Sequence, residues 1–366
     1  MMSFPRIILH GVKTGAVAAA RVLVCVGALA GAAAADPTNG QLLTSTGNAE
    51  ALALDATRNR LYVALDDIFN TLQVIPLDGA GDPTTPVITT KFGTNAVALA
   101  LDAARNRLYM ASSAFGDELY VFVLDAAGDT VTVQNNDAIT PPITSVALDP
   151  ARGRLYLGIN DVSNGLGVFT LDAAGDTVSA ATYGTGFPVL ALALDPVRNK
   201  LYLGSHNGEV HTANLDAAGD PVSYGGPYAA GTQNLLTLAL DSFRDRLHAG
   251  AQSENNVYTF TRQDNTGADP GEPLGAAASF SIGTPAHCLT LDATASRMYL
   301  GVNDTGTNDL GWFNLTAAGD PTGAISFIAS GDAVASIAVD VQRRRVYAAG
   351  ATISQYSALS ADARAS

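Results

Sequence analysis

Cysteine is nearly absent from this sequence, which contains two in 366 residues, Cys25 and Cys288. Cys25 falls in an N-terminal segment that has the pattern of a leader, so the rest of the chain has one cysteine and no internal disulfide. Charged residues are also scarce, at 15% against 47% hydrophobic residues, far from the composition of a disordered chain. Stability is therefore expected to come from a packed core.

Basic residues are the rarer of the two charge types, and the formal net charge is −14. This balance argues against nucleic acid as a partner, because its phosphates would be repelled. The chain also lacks a nucleophile elbow, an H-E-x-x-H motif, a P-loop and a dinucleotide fingerprint. No enzyme class is indicated by a catalytic motif.

The first 35 residues combine a basic start, an apolar run at Val22–Ala30 and small residues ending at Ala35. This pattern predicts a cleaved secretory signal peptide and hence export to the periplasm or the extracellular space. An uncleaved membrane anchor is the alternative, for which the apolar run is short. A lipoprotein site at Cys25 is disfavoured because Val24 stands where a small residue is needed. We expect a monomer with no transmembrane span after cleavage.

One sequence unit recurs seven times after the leader. Its most regular part is VALALDAARNRLYMA, from Val97 to Ala111. The aspartate of this part recurs at intervals of 46 to 51 residues, at Asp55, Asp102, Asp149, Asp195, Asp241, Asp292 and Asp340. The seven units predict one repeat domain over residues 36–358, with a polar tail at 359–366.

Each unit is predicted to form four antiparallel strands. The run Val97–Leu101 alternates large and small residues, the period of a strand whose large face packs over the small face of a neighbouring sheet. A tight turn and a second strand follow, and a third strand ends at a Leu-Asp-Ala-Ala-Gly-Asp turn, whose glycine suits a left-handed backbone. Seven such units without helical periodicity predict a seven-bladed β-propeller.

The two ends of the repeat region are offset by one strand. The last unit stops after its third strand, Thr352–Tyr356, whereas Gln41–Ser45 precedes the first unit in the place of a fourth strand. The N-terminal strand is therefore predicted to complete the last blade and close the ring, which removes two exposed sheet edges.

The repeated motifs L-D-x-x-R-N-R-L-Y-V-G and V-x-x-x-L-D-A-A-G-D-P resemble those of YVTN-type and lactonase-like seven-bladed propellers. The resemblance spans the chain after the leader and implies the same fold. It also raises lactone hydrolysis as an activity. No catalytic residue carries over, because the matching positions are those that every blade needs for its turns and strands.

The two faces of the predicted ring differ in charge. Fourteen basic residues fall in the turns between first and second strands, beside the glycine turns and their aspartates, and are expected to form charge pairs between turns and blades. The opposite loop face is acidic, with Lys91 as its one cation. Its candidates for binding a ligand or metal are Asp67, Asp117, Glu118, Asp161, His206, Glu254, Asp304 and Asp332.

Two loops on the acidic face, Asn160–Asn164 and Asn303–Asp309, are rich in oxygen ligands but lack the spacing of a known calcium loop. The sequence requires no cofactor, and Ca²⁺ or another divalent cation is an alternative ligand. Among the histidines, His248 occupies a position held by tyrosine in the other units and is predicted to be a packing residue. His287, with Glu50 or Asp332 as its partner, is the candidate for acid and base chemistry near the channel mouth.

Two functions remain open at this point. The first is a binding or interaction module that uses the acidic face around the central channel to hold a protein, a small molecule or a carbohydrate. The second is a hydrolase of a lactone or sugar. A phosphorylated lactone is disfavoured, because binding of its phosphate calls for cations that this face lacks.

Overall fold

The computed structural model describes residues 37–43, 48–66, 71–85, 87–91, 95–113, 119–136, 139, 142–264, 269–302, 309–328, 333–350 and 353–358. This part of the chain folds into seven antiparallel sheets of four strands and contains no helix. The sheets form a seven-bladed β-propeller, which confirms the predicted fold class. No helix in the described part could serve as a membrane span.

The strands follow the repeat unit, from the innermost strand of each blade to the outermost. Blade 1 contains β2 (Asn48–Asp55), β3 (Arg60–Asp66), β4 (Thr71–Pro76) and β5 (Ile88–Lys91). Blade 2 contains β6 (Ala96–Asp102), β7 (Arg107–Ser112), β8 (Leu119–Leu124) and β9 (Thr130–Asn136). Blade 3 contains β10 (Ile143–Asp149), β11 (Arg154–Ile159), β12 (Leu166–Leu171) and β13 (Thr177–Tyr183).

The remaining blades repeat this order. Blade 4 contains β14 (Val189–Asp195), β15 (Lys200–Ser205), β16 (Glu209–Leu215) and β17 (Pro221–Ala229). Blade 5 contains β18 (Leu235–Asp241), β19 (Arg246–Ala251), β20 (Asn256–Thr261) and β21 (Ala278–Ser281). Blade 6 contains β22 (Ala286–Asp292), β23 (Arg297–Val302), β24 (Leu310–Leu315) and β25 (Pro321–Ile328). Blade 7 contains β26 (Val334–Asp340), β27 (Arg345–Gly350), β28 (Ile353–Ala358) and, as its outermost strand, β1 (Pro37–Leu43).

The N-terminal strand lies a few residues before the predicted Gln41–Ser45. In the structure β1 runs antiparallel to β28, with Pro37 opposite Ala358 and Leu43 opposite Ile353. A strand from the start of the repeat region therefore lies in the same sheet as three strands from its end.

Deleting Pro37–Leu43 is expected to lower the free energy of unfolding by about 2 kcal/mol or more, because several hydrogen bonds at about 0.5–1.5 kcal/mol each would be lost and β28 would become an exposed edge. The matched control is deletion of residues 362–366, for which we expect no measurable change. Urea denaturation of both variants would check this expectation. Equal stability of the two variants would contradict the closure of the ring by β1.

The core consists of seven hydrophobic clusters, one between each pair of neighbouring blades. Between blades 1 and 2, Ala51 and Ala53 of one inner strand face Leu99 and Leu101 of the next. The predicted packing of a large face over a small face is confirmed. The seventh cluster, which includes Leu52 and Tyr347, joins blade 7 to blade 1, so the apolar packing runs around the whole ring.

In five blades the tyrosine of the second strand joins its blade to the next one. Tyr156 of blade 3 is fully buried, and its hydroxyl donates a hydrogen bond of 2.7 Å to the carbonyl of Gly219, in the turn between the third and fourth strands of blade 4. The same bond joins Tyr62 to Gly128, Tyr109 to Gly175, Tyr202 to Gly271 and Tyr347 to Gly81. These turn glycines have φ near +90°, as the sequence predicted.

The turn face carries the expected network of ion pairs. Within a turn, the aspartate accepts hydrogen bonds from the arginine three residues later, as Asp102 does from Arg105 at 2.7 Å. Between blades, the first arginine of the second strand pairs with the aspartate of the next blade's glycine turn. These pairs are Arg60 and Asp129, Arg107 and Asp176, Arg154 and Asp220, Arg246 and Asp320, and Arg345 and Asp82. Each half-exposed pair contributes at most about 1 kcal/mol.

Candidate binding site at the channel mouth

Every inner strand of the propeller contains a one-residue β-bulge near its first residue. In blade 1, Ala49 pairs with Leu65 and Ala51 pairs with Ala64, so Glu50 has no partner in the ladder. The equivalent unpaired residues in blades 2 to 7 are Val97, Thr144, Leu190, Leu236, His287 and Ala335. Each blade therefore contributes one bulge residue at the same height in the ring.

The bulge reverses the alternation of the side chains. Ala49 packs in the same cluster as Leu52 and Leu54, although it lies three and five positions before them, an odd offset that would place it on the opposite face of a regular strand. The bulge residue is the extra residue that has no partner in the ladder, and it shifts the alternation of the side chains by one position. The alternation of large and small residues predicted Val97 on the same face as Leu99 and Leu101. This prediction was wrong, because Val97 is the bulge residue of blade 2 and packs on the opposite side of its sheet.

The seven inner strands enclose a cavity of about 230 Å³ at this end of the channel. Six of the bulge residues line it, including Glu50 and His287, together with the residues that follow them in each strand. Among the bulge residues Glu50, Thr144 and His287 are polar, and the others are apolar. Glu50 of blade 1 and His287 of blade 6 both line this cavity, although blade 7 lies between their blades.

The environment of the cavity shifts the pKa of both ionisable residues. Burial, reinforced by the carboxylate of Asp66, raises the pKa of Glu50, and burial lowers the pKa of His287. His287 is therefore neutral at pH 7 and can accept a proton or a hydrogen bond. A positive group brought close to Glu50 would stabilise its ionised form.

Hydroxyl groups below the mouth satisfy backbone groups between blades. Thr144 donates to the carbonyl of Val189 at 2.7 Å, and Ser336 accepts from the backbone N–H of Leu52 at 3.1 Å. Thr237 accepts from the backbone N–H of Leu289 at 3.0 Å. These contacts hold the inner strands of neighbouring blades together, which makes the wall of the cavity rigid.

Three further candidates lie in loops of the same face but outside the cavity wall. Asp161 accepts hydrogen bonds from the backbone N–H groups of Ser163 and Asn164, at 2.8 and 2.7 Å. His206 lies 2.9 Å from the side-chain oxygen of Asn160.

The third candidate, Glu254, accepts from the backbone N–H and the hydroxyl of Thr232, at 2.7 and 2.8 Å, and from the hydroxyl of Tyr258. These hydrogen bonds outweigh the effect of burial and lower the pKa of Glu254. All three side chains thus have structural partners, and the structure does not bring them together with Glu50 and His287.

The other five candidates, Asp67, Asp117, Glu118, Asp304 and Asp332, lie outside the described residues. Most of the oxygen-rich loop Asn303–Asp309 also lies outside them, whereas Asn160–Asn164 is closed by the bonds to Asp161. Within the described ranges, no group of three or more His, Cys, Asp and Glu side chains is arranged to hold a metal ion.

Glu50 and His287 were predicted from the sequence as candidates, whereas the ring of bulge residues to which they belong was not predicted. The available signal was variation among the repeats: the positions that build the fold keep the same residue type in most copies, whereas the bulge position differs in nearly every blade. The burial of Arg262, which takes the place of a leucine at the end of the third strand of blade 5, was also not predicted.

Structural comparison supports the fold and leaves the activity open. The β-propeller domain of Myceliophteria thermophila Cps50 (Swd1) superposes with a TM-score of 0.65 and 14% sequence identity, over 89% of this chain and 100% of that domain. No protein-family model and no curated protein matches this chain. At this identity the likeness concerns architecture alone, since one fold hosts many functions.

Proposed function

We propose that this protein is an exported binding module that holds a partner at the mouth of the central channel, with Glu50 and His287 as its polar contacts. One observation carries the proposal. Six of the seven equivalent bulges present side chains that range from Glu50 and His287 to apolar residues to one cavity, while the surrounding packing and turns repeat from blade to blade. β-Propellers commonly act as protein-interaction modules, and a shared cavity with varied lining suits recognition.

The chemistry of the mouth favours a partner that carries a positive charge. Burial and the negative charge of Asp66 both raise the pKa of Glu50, so a cation that approaches Glu50 would stabilise its ionised form. Val97, Leu236 and Ala335 add apolar surface next to the carboxylate. A lysine or arginine side chain of a protein partner matches this combination, because its stem packs on apolar groups while its head pairs with Glu50. The leader segment and the net charge of −14 agree with an exported acidic protein.

Hydrolysis of a non-phosphorylated lactone or sugar is the second candidate, and a separate observation favours it. His287 is neutral at pH 7 and shares its cavity with a carboxyl group, so it could remove a proton from a water molecule that attacks a bound ester. The resemblance to lactonase-like propellers agrees with this candidate. A divalent cation at Glu50 and the acidic loops is the remaining alternative for the ligand.

Replacing Glu50 with glutamine is expected to weaken binding of an oligolysine peptide at least tenfold, since about 1.4 kcal/mol of charge interaction would be lost. Binding to the wild-type protein should also weaken as the salt concentration rises. Isothermal titration calorimetry at two ionic strengths would measure both effects. Arg105→Gln, on the opposite face of the ring, is the control and should leave the peptide affinity unchanged.

The two functions separate in the response to His287→Ala. If the protein is a hydrolase, the wild type should turn over at least one lactone in a panel and His287→Ala should abolish this turnover. If it is a binding module, neither the wild type nor the variant should turn over any lactone. Addition of EDTA and of Ca²⁺ during thermal denaturation would reveal a bound cation as a shift in melting temperature. Equal peptide affinity in the wild type and Glu50→Gln would show that the mouth is not the binding site.

A further inference from the structure

The cavity at the channel mouth is lined by one acidic and one basic side chain that can titrate. Glu50 of blade 1 and His287 of blade 6 both lie in its wall, and both are half-buried, so each is reached from the cavity. The other ionisable side chain in the described wall is Cys288, whose thiol stays neutral because burial raises its pKa to about 12. Glu50 and His287 therefore decide the charge of the described wall.

The strands around His287 bring no charged group to its side chain within the described ranges. On β18 and β26, which flank β22, the equivalent bulge residues are Leu236 and Ala335. Charged residues on β18, β19, β22, β23 and β26 lie at the turn-face ends, at Asp241, Arg246, Asp292, Arg297 and Asp340. His248 of β19 is fully buried. The surroundings of His287 at the mouth are thus mainly apolar.

Acidification moves both cavity side chains toward positive charge. Burial lowers the pKa of His287 below its usual value of 6.5, and burial together with the charge of Asp66 raises the pKa of Glu50 above its usual value of 4.5. The two titrations therefore move toward each other. At pH 7 the pair has one negative charge, from Glu50. Once both groups have bound a proton, the pair has one positive charge, from His287.

Glu50 and His287 do not form an ion pair with each other. Burial is the cause of the pKa shift of His287, and the charge that acts on Glu50 is that of Asp66. A paired imidazole and carboxylate would instead stabilise each other's charged forms. The two side chains are therefore held apart across the cavity, and each is free to contact a bound partner.

We propose that mild acid releases the cationic partner from the channel mouth, with His287 as the switch. This inference rests on the proposed function, in which Glu50 and His287 are the polar contacts of the partner. Neutral His287 accepts a hydrogen bond from the partner, whereas protonated His287 can only donate and adds a positive charge to the cavity that holds the partner's cation. Protonation of Glu50 removes the charge that attracts this cation, so both changes weaken binding.

The test is isothermal titration calorimetry of the full chain with an oligolysine peptide at pH 7.5, 6.0 and 5.0 and constant ionic strength. Lysine, with a pKa of about 10.4, stays charged over this range, so a change in affinity comes from the protein. We expect the affinity of the wild type to fall at least tenfold between pH 7.5 and pH 5.0. Circular dichroism at each pH checks that the chain stays folded.

Three variants decide whether His287 is the switch. His287→Gln keeps a hydrogen-bonding side chain that does not titrate, so its affinity should fall at most about threefold over the same pH range, through Glu50 alone. His287→Lys is charged throughout and should bind at pH 7.5 as weakly as the wild type binds at pH 5.0. The matched control is His211→Gln, which removes another half-buried histidine with a lowered pKa, in β16 outside the cavity. It should keep the pH response of the wild type.

The possible failures of the inference and of the proposed function are distinct. If His287→Gln loses affinity as steeply as the wild type, or if the wild type binds equally at pH 7.5 and pH 5.0, the inference is overturned while the proposed function stands. If oligolysine does not bind at pH 7.5, or binds Glu50→Gln as tightly as the wild type, the proposed function fails and the inference fails with it. The comparison of the wild type with His287→Gln decides the matter even if the Lys variant does not fold.

Discussion

Replacing Tyr156 with alanine is expected to lower the free energy of unfolding by about 3–5 kcal/mol, the range for removal of a large buried side chain. Tyr156 is fully buried in the cluster between blades 3 and 4, where Leu201 and Leu203 belong to the same cluster. Its hydroxyl also donates to the carbonyl of Gly219. The substitution removes both the ring and the bond that fastens the two blades, and urea denaturation would measure the loss.

Two matched substitutions separate these contributions. Tyr156→Phe keeps the ring and removes the hydroxyl, so it should cost about 1 kcal/mol, the net value of one buried hydrogen bond. Tyr224→Ala removes a tyrosine that is 40% exposed on an outer strand and should cost less than half as much as Tyr156→Ala. If Tyr156→Phe costs as much as Tyr156→Ala, the stability comes from the hydroxyl and the role of ring packing is refuted.

Acidification from pH 7 to pH 4 is expected to cost the wild-type protein about 3 kcal/mol more than the His248→Tyr variant. His248 is fully buried, and burial lowers its pKa to about 4, against about 6.5 in an unfolded chain. Between these two values the unfolded chain binds a proton that the folded protein does not bind. The contribution of His248 to the free energy of unfolding is therefore fully present above pH 6.5 and is lost as the pH falls toward 4.

The variant should also be at least as stable as the wild type at pH 7. The Nδ1 of His248 lies 3.0 Å from the hydroxyl of Thr259, while its Nε2 is buried without a hydrogen-bond partner. A tyrosine in this slot would extend toward Gly319, which lies in the glycine turn of blade 6. Unfolding free energies of both proteins at pH 7, 5.5 and 4 would test this. Parallel pH profiles would show that His248 is not the group that titrates.

The fold could be predicted because the residues that form the turns, the strands and the contacts between blades recur in seven sequence repeats. Asp102, Arg105 and Tyr109 each have counterparts in most blades, and each makes a turn bond or a bond between blades. The alternation of large and small residues predicted the packing of neighbouring sheets. The tyrosine slot likewise predicted that His248 would be buried, and the structure confirms this.

The site was harder to predict, because it depends on departures from the repeat. No particular residue type marks a bulge in the sequence. In blade 2 the bulge residue Val97 fits the alternation of large and small residues, so the sequence gives no sign that the strand is irregular there. Glu50 is the one carboxylate among the seven bulge residues, and five of the acidic loop candidates lie outside the described residues. The burial of Arg262 was equally hard to predict, because its contacts with Asp195 and Tyr202 join residues that lie 67 and 60 positions apart in the sequence.

The bulges separate the positions that line the channel mouth from the positions that hold the blades together. Six of the seven bulge residues line the channel mouth, and the clusters that hold the blades together consist mainly of their neighbours in the strand. New side chains at these six positions could therefore alter the width and polarity of the aperture at little cost in folding. A library randomised at Val97, Leu236 and Ala335 would explore new ligand preferences on an unchanged scaffold.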